Sequence, residues 1–197
     1  MEKGRGTCMY WVVALFDEET EQKVMDIWQE LCDQSISYYV NKVKDGKPHL
    51  TLASYEQLDK ETFISKLETY CEGKEEVALT FNTVGSFLNH DTVFLSPVIT
   101  TDLLKLHGAY HQAFALYKEA SNELYEPEQW IPHCTLANQP VTGNLSDVFG
   151  YCQKHVEPIS GTIDRIAIIE KVGEENGKLV APVIYTKRLS KSGVSNG

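Results

Sequence analysis

"KPHLTLASY" (Lys47–Tyr55) sets two polar side chains, His49 and Thr51, two residues apart in an otherwise apolar run. Side chains of a strand alternate between faces, so His49 and Thr51 share one face while Leu50 and Leu52 share the other. Such a strand has an apolar face for a core and a polar face for a groove. The pattern returns in "PHCTLAN" (Pro132–Asn138), where His133 and Thr135 oppose Cys134 and Leu136. "PHLTLA" and "PHCTLA" agree at every position but one, histidine included, in a chain with six histidines.

Working outward, each copy lies in a half of similar order. "MYWVVALF" (Met9–Phe16) reads as a buried strand, and Asp17 offers an N-cap to a helix with Val24, Ile27, Trp28 and Leu31 inward, to about Asp33. "SYYVNKV" (Ser37–Val43) reads as a second strand and the opening stretch as a third. A helix from about Asp59 carries Phe63, Ile64, Leu67 and Cys71 on one face and stops at Gly73. Strands near Val77–Leu88 and Thr92–Leu95 follow, and the longest helix is predicted over Thr101–Ala120, with Leu103, Leu106, Tyr110, Phe114 and Tyr117 inward. After the second copy come a helix at "NLSDVFGYCQKHV", a long strand at "ISGTIDRIAIIEKV", a hairpin at "GEENGK" and a return through "LVAPVIYTKRL". The reading is an α/β chain of two similar halves. Residues 9–189 form one bilobal domain between mobile ends at 1–8 and 190–197. The first-motif lobe spans about 40–98, and the second-motif lobe about 130–189 plus the N-terminal strand.

With 197 residues, 42% hydrophobic and 23% charged, the chain suits one compact globular body. Its net charge is −10, from 28 acidic and 18 basic residues, with no basic run longer than Lys187–Arg188. A protein gripping long nucleic acid by its phosphates carries a basic stripe, so long nucleic acid is excluded as a partner. A nucleotide-like ligand is small, or is held locally around Lys42, Lys44 and Lys47. No apolar stretch nears the roughly 20 residues of a membrane span, and no signal-peptide pattern follows the N-terminus. The expectation is a cytoplasmic monomer without membrane contact. Five cysteines without a C-x-x-C pair read as reduced thiols rather than disulfides or a zinc site. His107 and His111 have i, i+4 spacing but lack the glutamate of H-E-x-x-H, so no metal and no cofactor are expected.

Along a strand His and Thr stand roughly 6.6 Å apart. If the halves are related by a pseudo-twofold, two imidazoles and two hydroxyls converge on one cleft. One neutral histidine can take a proton from an attacking water or ribose hydroxyl while the other, protonated, supplies one to the departing oxygen. The threonine hydroxyls can donate to the non-bridging phosphate oxygens, where charge builds in the transition state. This is metal-free phosphodiester chemistry, with His49 assigned as base and His133 as acid.

Two H-x-T motifs in separate, similarly built halves resemble the 2H phosphoesterase superfamily, the group that includes 2'-5' RNA ligase-like proteins and cyclic nucleotide phosphodiesterases. The resemblance covers about Tyr10–Leu189. It implies a bilobal α/β fold, with two pseudo-symmetric lobes of mainly antiparallel sheet and helices around a central groove. It implies hydrolysis of 2',3'-cyclic phosphates, 2'-5' linkages or related small nucleotides, with His49, Thr51, His133 and Thr135 as the catalytic set. The motifs continue as "SYE" and "NQP", where the RNA-end phosphodiesterase branch has an "FLG"-like run and an arginine. A small nucleotide or signalling oligonucleotide therefore fits better than an RNA end. Tyr10 and Trp11 on the first strand, Tyr55 after the first motif, and Tyr125 and Trp130 before the second are the aromatics that could stack on a base, with Tyr10, Trp130 and Tyr55 assigned to substrate and Tyr10 and Trp130 the preferred pair. Alternation points Cys134 into the core, away from any nucleophilic role. Two other readings are a module of the same fold that binds a nucleotide or RNA without cleaving it, and 2'-5' ligation.

Overall fold

The computed structural model describes residues 9–88, 90–140 and 144–191. In chain order the elements are β1 (Met9–Phe16), α1 (Glu18–Asp33), β2 (Val43–Lys44), β3 (His49–Tyr55), α2 (Lys60–Cys71), β4 (Val77–Ser86) and β5 (Thr92–Pro97). They continue with α3 (Thr101–Ala113), β6 (Cys134–Asn138), α4 (Leu145–His155), β7 (Ile159–Lys171), β8 (Gly173–Glu175), β9 (Lys178–Val180) and β10 (Val183–Arg188). Short 3₁₀ turns lie at Tyr39–Asn41, Ala115–Ala120 and Glu123–Tyr125.

Seven strands make one antiparallel sheet in the order β3-β1-β7-β4-β5-β6, with β10 also on β7. The 13-residue β7 meets β1 along one edge; on the other, Ile159–Ile163 pairs with β4 and Arg165–Ile169 with β10. The motif strands β3 and β6 are the two ends of the sheet order, and the sheet curls until their Cα atoms come within 8 Å. Both motifs therefore share one groove.

Side chains of alternating parity build two cores. Tyr10, Val12, Ala14 and Phe16 of β1 join Leu50, Leu52, Cys134 and Leu136 in the main core under the helices. Val13 and Leu15 join Ala167, Ile169 and Ala181 in a small second core on the other face. The ribbon of β2, β9 and β8 covers that face, its hairpin turning at Asn176 and Gly177 with φ of 52° and 76°, as an Asn-Gly hairpin turn requires. Each helix is capped as its sequence suggests: Asp17 accepts from Thr20 N, Asp59 from Thr62 N, Thr100 from Leu103 N and Asn144 from Ser146 N. Gly73, at φ 69°, ends α2. Gly161 lets α1 close on β7, since a Cβ there would stand 1.7 Å from Thr20 Oγ1.

Four expectations are corrected. Ser37–Val43 is not a strand: after α1, Ser35 turns at φ 57°, Ile36 and Ser37 donate to Leu31 O, and a 3₁₀ turn brings Tyr39 edge-on to Trp28. The third helix ends at Ala113, leaving α1 the longest described helix. Its continuation is 3₁₀, whose three-residue turn keeps Tyr117 on the Phe114 side against Phe63. The lobes also divide differently from the sequence order. β1 pairs with the first-motif strand, and β4 and β5 stand on the side of the second. Strand pairing follows the sheet, and β7 supplies the inner neighbour of both sides. Finally, Ser190 does not belong to a loose tail, because its backbone exchanges hydrogen bonds with Glu76 and Lys74. Residues 1–8 and 192–197 lie outside the described residues.

Candidate active site

The apolar faces of the two motif strands explain their placement. Leu50, Leu52, Cys134 and Leu136 are fully buried, which leaves His49, Thr51, His133 and Thr135 on the opposite face. The Cys134 thiol reaches the His49 backbone, and burial pushes it up to about 12, so it stays protonated in the core. The two motifs are thus brought together across the sheet ends.

The histidines are held alike. His49 Nδ1 lies 2.6 Å from Lys47 O, and His133 Nδ1 lies 2.7 Å from Ile131 O, each carbonyl two residues upstream. A carbonyl only accepts, so Nδ1 carries the proton and the neutral ring keeps its lone pair on Nε2. Burial pushes both imidazoles below their ordinary range. At both, the carbonyl on Nδ1 pulls the other way; at His49 the charge of His133 adds to the lowering. Two histidines that sense each other titrate as a pair.

The threonines are braced across the groove. Trp28 Nε1, from α1, donates to Thr135 O at 2.9 Å, and Trp130 Nε1, just ahead of β6, donates to Thr51 O at 2.9 Å. Each indole seals the unpaired edge of a motif strand whose hydrogen bonds run only to one neighbour. Further donors complete the seal: His111 Nε2 to Leu52 O at 3.0 Å and Asn122 N to Ser54 O on β3, and Lys42 Nζ to Asn138 O at the end of β6 and to Gln139 O just beyond it. The Tyr39 hydroxyl faces Thr135 and the Tyr125 hydroxyl faces Thr51; burial raises both phenols, Tyr39 to about 12, against the opposing pull of those threonines. Both phenols stay protonated at neutral pH. Each can donate to its threonine oxygen and leave the threonine proton for a ligand.

Of the predicted stacking residues, Tyr10, Tyr55 and Trp130 are engaged elsewhere. Tyr10 is 5% exposed in the main core and donates to Glu170 Oε1. Tyr55 is 2% exposed, with its hydroxyl on that of Tyr110 and its ring against Phe63. Trp130 spends its N–H on Thr51 O, and one face lies flat on His107 at 3.7 Å. The lysines named for local grip are engaged too: Lys44 pairs with Glu175, Lys47 with Glu21, and Lys42 with the carbonyls at the end of β6. His107 Nε2 donates to Tyr125 O and His111 Nε2 to Leu52 O, so the pair braces the chain around the first motif.

The groove wall beside His49 and Thr51 opens into a cavity of about 170 Å³ lined by Trp11, Trp28 and Tyr39 on one side and Val43, Leu179 and Val183 on another. Beside His133 stand Phe87 and Phe94, with ring centroids 4.8 and 5.3 Å from the imidazole. Reading from the sequence places Trp11 and Tyr125 among the stacking candidates behind the preferred Tyr10 and Trp130, and misses Trp28, read only as core, and Tyr39, read only as part of a strand. Alternation separates Trp11 from Tyr10 and sets it with Val13 and Leu15, and that signal prefers Trp11 over Tyr10.

No curated protein matches the chain by sequence. By structure it is similar to E. coli LigT complexed with 3'-AMP, at 13% identity, covering 94% of this chain and 99% of that one with a TM-score of 0.62. It is similar to TT0787 of Thermus thermophilus, at 14% identity, covering 93% and 99% with a TM-score of 0.66. A crystal structure named only as a phosphoesterase matches at 15% identity, covering 94% and 99% with a TM-score of 0.62. These likenesses show the same α/β fold. The family model described as the 2'-5' RNA ligase superfamily matches residues 16–175, most of the chain and both motifs, and on that match the protein belongs to the 2'-5' RNA ligase superfamily.

Proposed function

We propose that the groove cleaves a phosphodiester in a small nucleotide, either a 2',3'-cyclic phosphate or a 2'-5' linkage, by two-histidine acid/base catalysis. The observation that carries this reading is the matched anchoring of the imidazoles: each Nδ1 is held by a carbonyl two residues upstream, which frees each Nε2 for proton transfer. In the productive state His133 is protonated and gives its proton to the leaving oxygen. The charge of His133 keeps His49 neutral, and His49 takes the proton of the attacking hydroxyl or water. Thr51 and Thr135 donate to the non-bridging oxygens as charge develops there. These steps require no metal. Structures of E. coli LigT in complex with 3'-AMP, ATP and NADP+ support a nucleotide of that size.

The test is a hydrolysis screen in EDTA over 2',3'-cyclic mononucleotides, 2'-5' oligonucleotides and cyclic dinucleotides, with His49→Ala and His133→Ala in parallel. Turnover of one class, with a loss of about a hundredfold or more in each variant, is the expected result. Stoichiometric binding with the nucleotide returned intact would make the protein a binding module instead. Activity that survives in both variants would remove the histidines from the mechanism.

A further inference from the structure

The segment between α3 and β6 ties the two motifs to each other. From Ser121 it runs along the outer edge of β3, where Ser121 bridges Tyr55 and Asn122 N donates to Ser54 O at 3.0 Å. It ends at Trp130, whose indole donates to Thr51 O of the first motif, and at Ile131, whose carbonyl holds Nδ1 of His133 in the second. Two adjacent residues thus grip both motifs. Trp28 has no such reach, since neither of its neighbours in the chain anchors a histidine. The plane of the Trp130 indole is set from behind by His107 of α3, an imidazole 2% exposed that lies flat on it, with centroids 3.7 Å apart and planes 2° from parallel. His107 Nε2 also donates to Tyr125 O at 2.9 Å, in the 3₁₀ turn whose tyrosine faces Thr51. Burial, with the neighbouring His111, pushes His107 down to about 4, so it stays a neutral ring that stacks and donates.

We infer that His107 is a positioning residue for both motifs: by fixing the plane of Trp130 it sets the separation of His49 and His133. The inference rests on the phosphodiesterase reading for the use of that separation. Base and acid must reach the attacking and the leaving oxygen of one phosphorus, and a misplacement of about 1 Å that originates far from the chemistry costs up to about a hundredfold in rate. If the indole tilts, its N–H leaves Thr51 O and the chain at Ile131 shifts with it, so both ends of the gap move at once. His107 is buried behind the motif strand, away from a ligand in the groove, so the loss falls on kcat rather than KM.

The experiment measures kcat and KM separately, on adenosine 2',3'-cyclic phosphate and on 2'-5'-linked diadenylate, in the parent, His107→Ala and His107→Phe. On whichever substrate the parent turns over, His107→Ala should lose about tenfold or more in kcat with KM held within about twofold. His107→Phe, which keeps a flat ring on the indole and gives up the donor, should recover most of that loss. A merely structural role would lower the melting temperature of both variants and leave kcat unchanged below it. His107→Gln, which keeps a donor and gives up the ring, repeats the test if His107→Ala fails to fold. Full kcat without the ring, an equal loss in His107→Phe, or a loss carried by KM would overturn the inference. If the parent turns over neither substrate, the phosphodiesterase reading falls separately, and NMR titration of the histidines decides the tie. Burial and the charge of His133 both hold His49 low, so His133→Asn should raise its titration midpoint. Combined with His107→Ala or His107→Gln, that rise should shrink, and an unchanged rise would overturn the tie.

Discussion

At His49 the groove wall is an enclosed apolar slot under a three-stranded ribbon, whereas at His133 it is the pair of rings Phe87 and Phe94 with exposed Leu88 beyond them. The contacts behind the two motifs scarcely differ. Each imidazole rests on a carbonyl two residues upstream, each threonine carbonyl takes an indole N–H at 2.9 Å, and each threonine hydroxyl has a tyrosine beside it. What anchors the side chains of the motifs is built twice, and the slot beside them is built once.

The strongest way to break that symmetry is to remove one hydroxyl at a time. Thr51→Val and Thr135→Val should each lower kcat by about a hundredfold, the usual cost of losing one donor to developing charge. Initial rates at saturating substrate check it, and a harmless change at either site would show that only one motif carries the phosphate. A smaller effect is expected from the braces. Trp28→Phe and Trp130→Phe each delete one indole donor to a strand edge, costing about 1 kcal/mol of stability. Trp28 costs more, because it is 5% exposed and its truncation also leaves a void. Thermal melting reads this difference, and kcat should fall severalfold with KM held, since the indoles touch strand carbonyls rather than ligand. The finest test is pH. The active form of the free enzyme has one neutral and one protonated imidazole, and burial lowers both, so the bell of kcat/KM should peak on the acid side of 6.5. Bound phosphate favours imidazolium, so the kcat profile should lie at higher pH. An optimum above 7 for kcat/KM would contradict the burial of the pair.

The motifs were legible because a strand alternates: His49 and Thr51 cannot point into the core that Leu50 and Leu52 occupy. The Asn176–Gly177 hairpin and the caps at Asp17 and Asp59 were legible because they are local. Tyr10 was misread because β1 is buried on both faces, so nothing polar in "MYWVVALF" marks which face meets the groove. That information resides in the pairing of Val13 with Thr51 and Ala167. Tyr39 lay hidden in a stretch rich in strand-forming residues, and tertiary packing on Trp28 overrode the propensity. Trp28 and Trp130 were visible as aromatics, but their partners are 107 and 79 residues away along the chain. No local pattern predicts a donor for an edge that the fold itself creates.

The shared strand β7 governs how this protein comes apart. Its first residues are hydrogen-bonded to β4, on the side of His133, and its later ones to β10, while β1 runs beside it on the side of His49. A fragment ending at residue 98 would contain β1, β3, β4 and β5 yet lack the strand that joins them. Such a fragment should not fold on its own. Heat or denaturant should therefore dissolve both motifs in a single cooperative transition, with the same midpoint reported from Trp28 as from Trp130.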